Sequence, residues 1–472
     1  MQPMTAFSPA AGRVWLTAAA LALCASHATG ATAQFSAPDA DFAGQVRVIE
    51  SPVVLPGNTV KIAGSNFTPG QQVRFFYENV EIVSPATKVD DEGKFTVETS
   101  IPAGAVPGRH PIVVSATNPN AALVYPLKVS PDIPLSGAEQ FNVTSRKVVS
   151  GLYQAAYSPK SKALFVTASV GRPPIGESAL VKLNPDTLEI IAQVAPQAAP
   201  PRRNADGKEL SGGLYGVYGI GVDDANGTVW TTVTRQNTVA VYKQDDLALV
   251  KQFPSGEVAH SRDVVIDTQH GKAYVSTSFS PEIEVFDTKK LEKIATIAPE
   301  TTVRGPNARP FGSMSLALDQ AASRLYVVSA TGEIGIVNTQ TDSVEKVIPV
   351  KGVFSPSGIA FDPATKRAFV AAQGSDNVAI VDVESGETLH NVLVGAGALN
   401  VAFDPVSKLA YVTNRGAGTI TALNSDGEIV ANLDGGPQPN HATVGSDGVV
   451  YVVNKGRAED PASNQVHRIQ RK

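Results

Sequence analysis

Along most of this chain apolar residues come in short runs that alternate with polar ones. Gly, Pro, Asn and Asp interrupt the runs about every 8–12 residues, a rhythm of strands and not of helices. The stretch 403–427, FDPVSKLAYVTNRGAGTITALNSDG, shows the unit. An apolar strand closes at Phe403-Asp404-Pro405, an alternating strand runs from Leu409 to Thr413, and another from Thr419 to Leu423 enters the Asn424-Ser425-Asp426-Gly427 turn. A fourth strand is predicted from Ile429 to Leu433. Four short strands in about 40 residues make one blade of a β-propeller.

The unit recurs. Registered on the aromatic that begins the second strand's core, it falls at Phe165, Trp230, Tyr274, Tyr326, Phe369, Tyr411 and Tyr451, with gaps of 65, 44, 52, 43, 42 and 40 residues. Seven residues before the first six of these stand Ser158, Asp223, Asp267, Asp319, Asp362 and Asp404. An Asp there suits the turn between first and second strands, because its carboxylate accepts from turn amides. Three strands follow Asn440, and a lone strand at Phe141 to Val149 precedes the first blade, so the two ends complement one another. The N-terminal strand is then the outer strand of a seventh blade, and closing the ring removes exposed edges.

From Gln45 to Val129 shorter alternating runs are separated by Pro56-Gly57-Asn58, Pro69-Gly70, Asp90-Asp91-Glu92-Gly93 and Pro107-Gly108. Six or seven strands in this span have the rhythm of an immunoglobulin-like sandwich. The run Gly64-Ser65-Asn66-Phe67-Thr68-Pro69-Gly70 resembles the corner of bacterial Ig-like modules on secreted proteins. Before it, Arg13 opens an apolar run that ends near Ala31-Thr32-Ala33, the form of a secretory cleavage site. Cys24, the only cysteine, lies inside that run, so processing there as a lipoprotein is the alternative to removal at Ala33. The chain therefore divides into a signal peptide at 1–33, a flexible segment at 34–44, the sandwich at 45–129, a linker at 130–140 and an all-β seven-bladed propeller at 141–472. Pro131 and Pro134 stiffen the linker, which predicts that the two modules are held apart. With the signal removed, no span is expected in a membrane, and the chain is periplasmic or secreted.

Composition changes this picture little. Forty Gly, 33 Pro and a formal net charge of -5 fit a turn-rich β protein and exclude a globally basic nucleic-acid binder, though not a local basic patch. No P-loop, G-x-S-x-G elbow, H-E-x-x-H or EF-hand loop occurs, and no cofactor, metal site or catalytic residue is assigned.

Tyr411-Val412-Thr413-Asn414 spells the motif of the YVTN-repeat propellers, with variants at Tyr274-Val275-Ser276-Thr277, Phe369-Val370-Ala371-Ala372 and Tyr451-Val452-Val453-Asn454. The region from Phe141 to Lys472 resembles the YncE-like, YVTN-repeat family of exported seven-bladed propellers. That resemblance implies an exported binding protein and single-stranded DNA as one ligand. It leaves the sandwich unexplained.

Blade topology sends the second-to-third-strand loops and the blade-to-blade loops to one face. The long insertions, Arg172 to Glu177, Pro196 to Gly213, Pro299 to Phe311 and Gly456 to Asn464, all belong to that face. Loop growth confined to one face marks a binding surface. Arg235, Arg262, Arg309 and Arg415 sit near strand ends there and offer planar forks to carboxylate or phosphate. The alternative for each is local pairing with surface acids. Tyr153, Tyr215, Tyr218 and Phe311 could stack bases or pack blade junctions. His260, Asn440, His441 and Asp263 complete the candidate ligand-binding set, whereas His270, His390 and His467 read as turn or surface residues. Three functions stay open: a non-enzymatic binder of a single-stranded nucleic acid or another anionic ligand, a lactonase-like hydrolase at the channel mouth, and a scaffold for an envelope protein.

Overall fold

In each repeat the second and third strands are buried at nearly every position, as in Ala163–Val170 and Thr228–Val233. Such strands can only be stable with both faces covered. The computed structural model covers both by stacking the sheets face to face around an axis. It describes residues 37–472 except 204–205, 279, 306–307 and 457–458, and not the Arg202 side chain; the signal segment, Cys24 and Arg457 therefore lie outside the described residues.

Seven four-stranded antiparallel sheets form the ring, the first six in sequence order from the channel outward. Their innermost strands are Leu152–Ser158, Ile220–Asp223, Ser261–Asp267, Ser313–Asp319, Pro356–Asp362, Ala398–Asp404 and Pro439–Val444, in blades one to seven. Each of these packs on the next, and the seventh packs on the first. The outer strands face water and are correspondingly polar or half-exposed, as in Ile190–Val194. The seventh blade is closed by Phe141–Lys147, which pairs antiparallel with Gln465–Arg471 from Phe141↔Arg471 to Lys147↔Gln465. N- and C-terminal segments thus share one sheet, as the complementary ends of the sequence predict.

All seven registered aromatics are buried in second strands, Trp230 and Tyr411 fully. The registered acids cap turns. Asp223 Oδ1 accepts from the N–H groups of Ala225 and Asn226, Asp267 Oδ1 from Gln269 and His270, and Asp404 from Val406 and Ser407. His467 departs from expectation. It is buried in the third strand of blade seven, where Nδ1 meets Ser145 Oγ at 2.7 Å and Nε2 meets Asn454 Nδ2 at 3.2 Å.

The sandwich stacks a three-stranded sheet, β1 (Gln45–Ile49), β2 (Thr59–Ser65) and β5 (Phe95–Ser100), on a four-stranded one. The second sheet has the order β4 (Val80–Lys88), β3 (Gln72–Tyr77), β6 (Gly108–Thr117), β7 (Ala121–Val129). Phe67, Phe75 and Phe95 pack edge-to-face in its core. Two expectations are corrected here. The segment before β1 is tied down from Pro38 on, because Asp39 accepts from Thr68 Oγ1 at 2.8 Å and Phe42 packs on Phe67. The modules are not held apart either. Lys128 Nζ meets Asp376 Oδ1 at 2.8 Å, the Arg109 guanidinium lies 3.5 Å over the Phe354 ring, and Asn432 clasps the linker at Ser136 and Ile133. The prolines stiffen the linker but do not set its direction; those side-chain contacts seat the sandwich on blades five and six.

Candidate functional site

An innermost strand has a partner on one side only, so its second edge leaves backbone groups to satisfy. Two polar belts solve this, and they occupy adjacent positions of the same strands. The first comprises Gln154, Gly219, Asp263, Ser315, Gly358, Asn400 and His441, each standing just before the residue paired opposite the position that follows a registered aromatic. Four of these side chains accept from a backbone N–H of the next blade: Gln154 Oε1 from Ile220 at 3.0 Å, Asp263 Oδ2 from Leu316 at 3.1 Å, Asn400 Oδ1 from Ala442 at 2.9 Å and His441 Nδ1 from Ala155 at 3.4 Å. In the second belt, the carbonyls of Tyr218, Arg262, Met314, Leu399 and Tyr153 accept from Thr167, Thr232, Ser276, Ser357 and Asn440 of the preceding blade. Blade seven has Val453 where blades one, two, three and six carry a hydroxyl, and Asn440 Nδ2 reaches Tyr153 O at 2.6 Å in its place.

Asp263 and His441 are therefore staples of the ring. Asp263 Oδ1 also accepts from its neighbour Val264, so both oxygens are engaged. Burial pushes its carboxyl up, against the pull of the Leu316 N–H and the Arg262 charge. Burial, helped by Arg262, pushes the His441 imidazole down to about 3. A neutral ring is what an accepting Nδ1 requires. The assignment of Asp263 as a ligand-binding residue is corrected on that ground, whereas His441 both holds the ring and lines the mouth cavity.

One position nearer the mouth, Tyr153, Arg262, Leu399 and Asn440 project from the inner strands, and Gln373 and Arg415 come from loops after second strands. With Gln154, Ser315, Asn400 and His441 of the first belt at its floor, they line a cavity of about 120 Å³ at the top of the channel. Arg262 Nε and Asn440 Oδ1 are buried and have no hydrogen-bond partner among the described residues. Arg415 makes one long hydrogen bond, to Gln438 at 3.4 Å. Lys455 joins them with Nζ 5.2 Å from the Tyr153 ring centroid. Burial, then the charges of Arg415 and Arg235, pull its ammonium down to about 8. No carboxylate pairs with Arg235, Arg262, Arg415 or Lys455 among the described residues.

The other candidates separate. Tyr218 stacks edge-on against Tyr153 at 5.0 Å, and burial raises its hydroxyl pKa beside Ser169 and Arg235. His260 is partly buried near Arg235, and burial followed by that charge lowers its pKa. Tyr215 and Phe311 do not reach the mouth; both are core residues of blade junctions, where ring area outweighs exposure. Arg309 lies exposed on the loop before blade four, away from the cavity lining. Lys455, Gln373 and Gln154 are additions. The first two stand at the fourth position past a registered aromatic, as Arg415 does, so the register that singles out Arg415 also names them.

Beside the mouth opens a second space. A crevice of about 620 Å³ runs between the sandwich and blades five to seven, lined by Pro52, Val53 and Lys128 on one side and by Gln373, Gly397, Arg415 and Gly416 among others on the other. Gln373 and Arg415 line both spaces. Among the described residues no three His, Cys, Asp or Glu side chains gather as a metal-holding cluster, and no helix is long and apolar enough to cross a membrane.

Comparison with known proteins agrees with the ring. The chain is 26% identical over 264 residues to the uncharacterized protein YncE of Salmonella typhi, covering 53% of this chain and 67% of that one. It is 25% identical over 284 residues to uncharacterized YncE of Escherichia coli O157:H7, covering 57% and 72%. These similarities support a YncE-like propeller. Among solved structures, Kuenenia stuttgartiensis hydrazine synthase superposes with a TM-score of 0.54 at 15% identity, over 68% of this chain and 96% of that one, a likeness of fold alone. No protein-family model matches the chain.

Proposed function

We propose that the chain is a binding protein that takes an anionic ligand at the channel mouth, with Arg262 and Arg415 gripping the acid group and Arg235 and Lys455 supplying a positive surround. One observation carries this reading: cationic side chains converge on a small cavity without carboxylate partners among the described residues, and one guanidinium nitrogen there is buried and unpartnered. Burying charge without a partner is costly, so a fold that retains it has a use for an incoming anion. The like charges depress Lys455, and an anion would relieve them together. The modest net charge of -5 keeps this attraction local and strongly screened by salt. An export signal at 1–33 would place the activity outside the cytoplasm. Calorimetric titration at low salt with inorganic phosphate, acetate, citrate and a short oligothymidylate tests the reading. Binding of at least one of these, weakened by salt and about tenfold by Arg262→Gln with Arg415→Gln, supports it. If none binds, or the double variant binds as well as the natural chain, the mouth is not an anion site.

A further inference from the structure

The mouth cavity and the crevice beside it share Gln373 and Arg415, so they adjoin across these two side chains. Their sizes differ in a useful way. About 120 Å³ accommodates little more than an acid group and its nearest atoms, whereas about 620 Å³ lies within the range of sites that bury an extended ligand. A ligand filling both would have its acidic end in the mouth and its body under the sandwich.

The polar groups say more. Besides the cationic forks, the mouth presents an acceptor: Asn440, 5% exposed, spends Nδ2 on Tyr153 O and leaves Oδ1 buried with no partner among the described residues. Because Tyr153 O can only accept, the amide's orientation is settled, and Oδ1 calls for a donor close to the ligand's acid group. A phosphodiester carries no such donor in its backbone. The terminal residue of a polypeptide does, since its amide nitrogen lies two bonds from the carboxylate carbon.

The crevice points the same way. Among the described residues no aromatic ring lines it, so these walls offer no platform for stacking bases or sugar faces. Its walls are small: Gly397, Gly416 and Gly418 from blade six face Pro52 and Val53 of the sandwich. At Gly416 the fit is tight, because a Cβ there would lie 3.0 Å from Ala396 O and 3.1 Å from Val53 Cγ2. Lys128, Asp434 and Gln438 add polar groups to these walls, which can pair with the N–H and C=O groups of an extended main chain.

Building on the anion-binding reading above, we propose that these adjoining spaces capture the C-terminal tail of a polypeptide, its carboxylate on Arg262 and Arg415, its last N–H on Asn440 Oδ1, and its preceding residues extended along the crevice between the sandwich and blades five to seven. The sandwich is then one wall of the site and not a spacer. Carboxylate capture by an arginine fork gives affinity at the end, and the crevice gives a preference for certain preceding side chains.

The test uses the full chain and two pools of N-terminally labelled random hexapeptides, one ending in a free carboxylate and one in a carboxamide, read by fluorescence anisotropy at low salt. The free-acid pool should bind at least tenfold more tightly than the amide pool, and lose about tenfold with Arg262→Gln. Val53→Glu, which sets a charge in the crevice wall away from the propeller core, should weaken the free-acid pool by a similar factor while leaving inorganic phosphate or acetate binding within about threefold. Equal binding of acid and amide pools overturns the proposal, as does an undiminished peptide signal in Val53→Glu. Absence of peptide binding while small anions or the oligothymidylate still bind also overturns it but spares the anion site. If nothing anionic binds, both readings fall.

Discussion

The channel belt and the mouth rim occupy neighbouring positions on the same innermost strands, yet they behave as opposites. Tyr153 and Gln154, Arg262 and Asp263, and Asn440 and His441 are consecutive pairs in which the second member is a belt residue holding the next blade by its backbone N–H. The first member points at the mouth, where Arg262 Nε and Asn440 Oδ1 stay unpartnered among the described residues. Polar residues in the belt complete the fold, and those at the rim leave something for a ligand to complete. The comparison teaches that a buried polar side chain is classified by its partners and not by its type.

Substitutions can break this division from either side. The largest effect is expected for Asp263→Ala, which orphans the N–H groups of Val264 and Leu316 in the ring interior. At about 1–3 kcal/mol for each buried group left unsatisfied, urea unfolding should show a loss of about 3 kcal/mol, with anion affinity unchanged or slightly higher. Were stability unaffected and binding lost, Asp263 would belong to the rim.

His441 comes next, through pH. Its imidazole sits at about 3 in the folded chain and titrates near its ordinary 6.5 when unfolded. The unfolded chain therefore binds the extra proton between those values, so the stability is whole above pH 6.5 and drains away as pH falls toward 3. The ring is only partly buried, so solvent screening trims the effect to about 2 kcal/mol. His441→Gln retains an acceptor and should flatten that acid limb in a melting-temperature series. An unchanged limb would show that the ring is protonated in the fold.

On the rim, the paired changes Arg262→Gln and Arg415→Gln should cost about tenfold in anion affinity, or about 1.4 kcal/mol. Unfolding stability should move by less than about 1 kcal/mol, and upward if relief of like charges dominates. The smallest effect belongs to Lys455. With its ammonium at about 8, affinity should fall a few-fold between pH 7 and 9 as the charge is lost, and Lys455→Arg should hold it level. A pH-independent natural chain would remove Lys455 from the rim.

Much of this was legible in one dimension. The aromatic register, the turn-capping acids and the shared seventh blade all follow from local chemistry repeated at a fixed spacing, and repetition makes each copy check the others. Arg262 and Arg415 were legible too, since loop growth and strand ends marked their face. Tyr215 and Phe311 misled because an aromatic before an inner strand looks the same whether it faces the mouth or the next blade. Lys455 was concealed in the least regular blade, beside a long insertion.

Alone, the sequence determined the sheets, their order and the closure of the ring, because strand periodicity and turn chemistry act over a few residues. Only the tertiary structure decided that Asp263 and His441 are staples, that Asn440 keeps a free acceptor, and that the sandwich leans over blades five and six to wall a crevice. Those outcomes turn on which groups from distant repeats meet and satisfy one another, and partners more than 250 residues apart, such as Ala155 and His441, leave no local pattern to read.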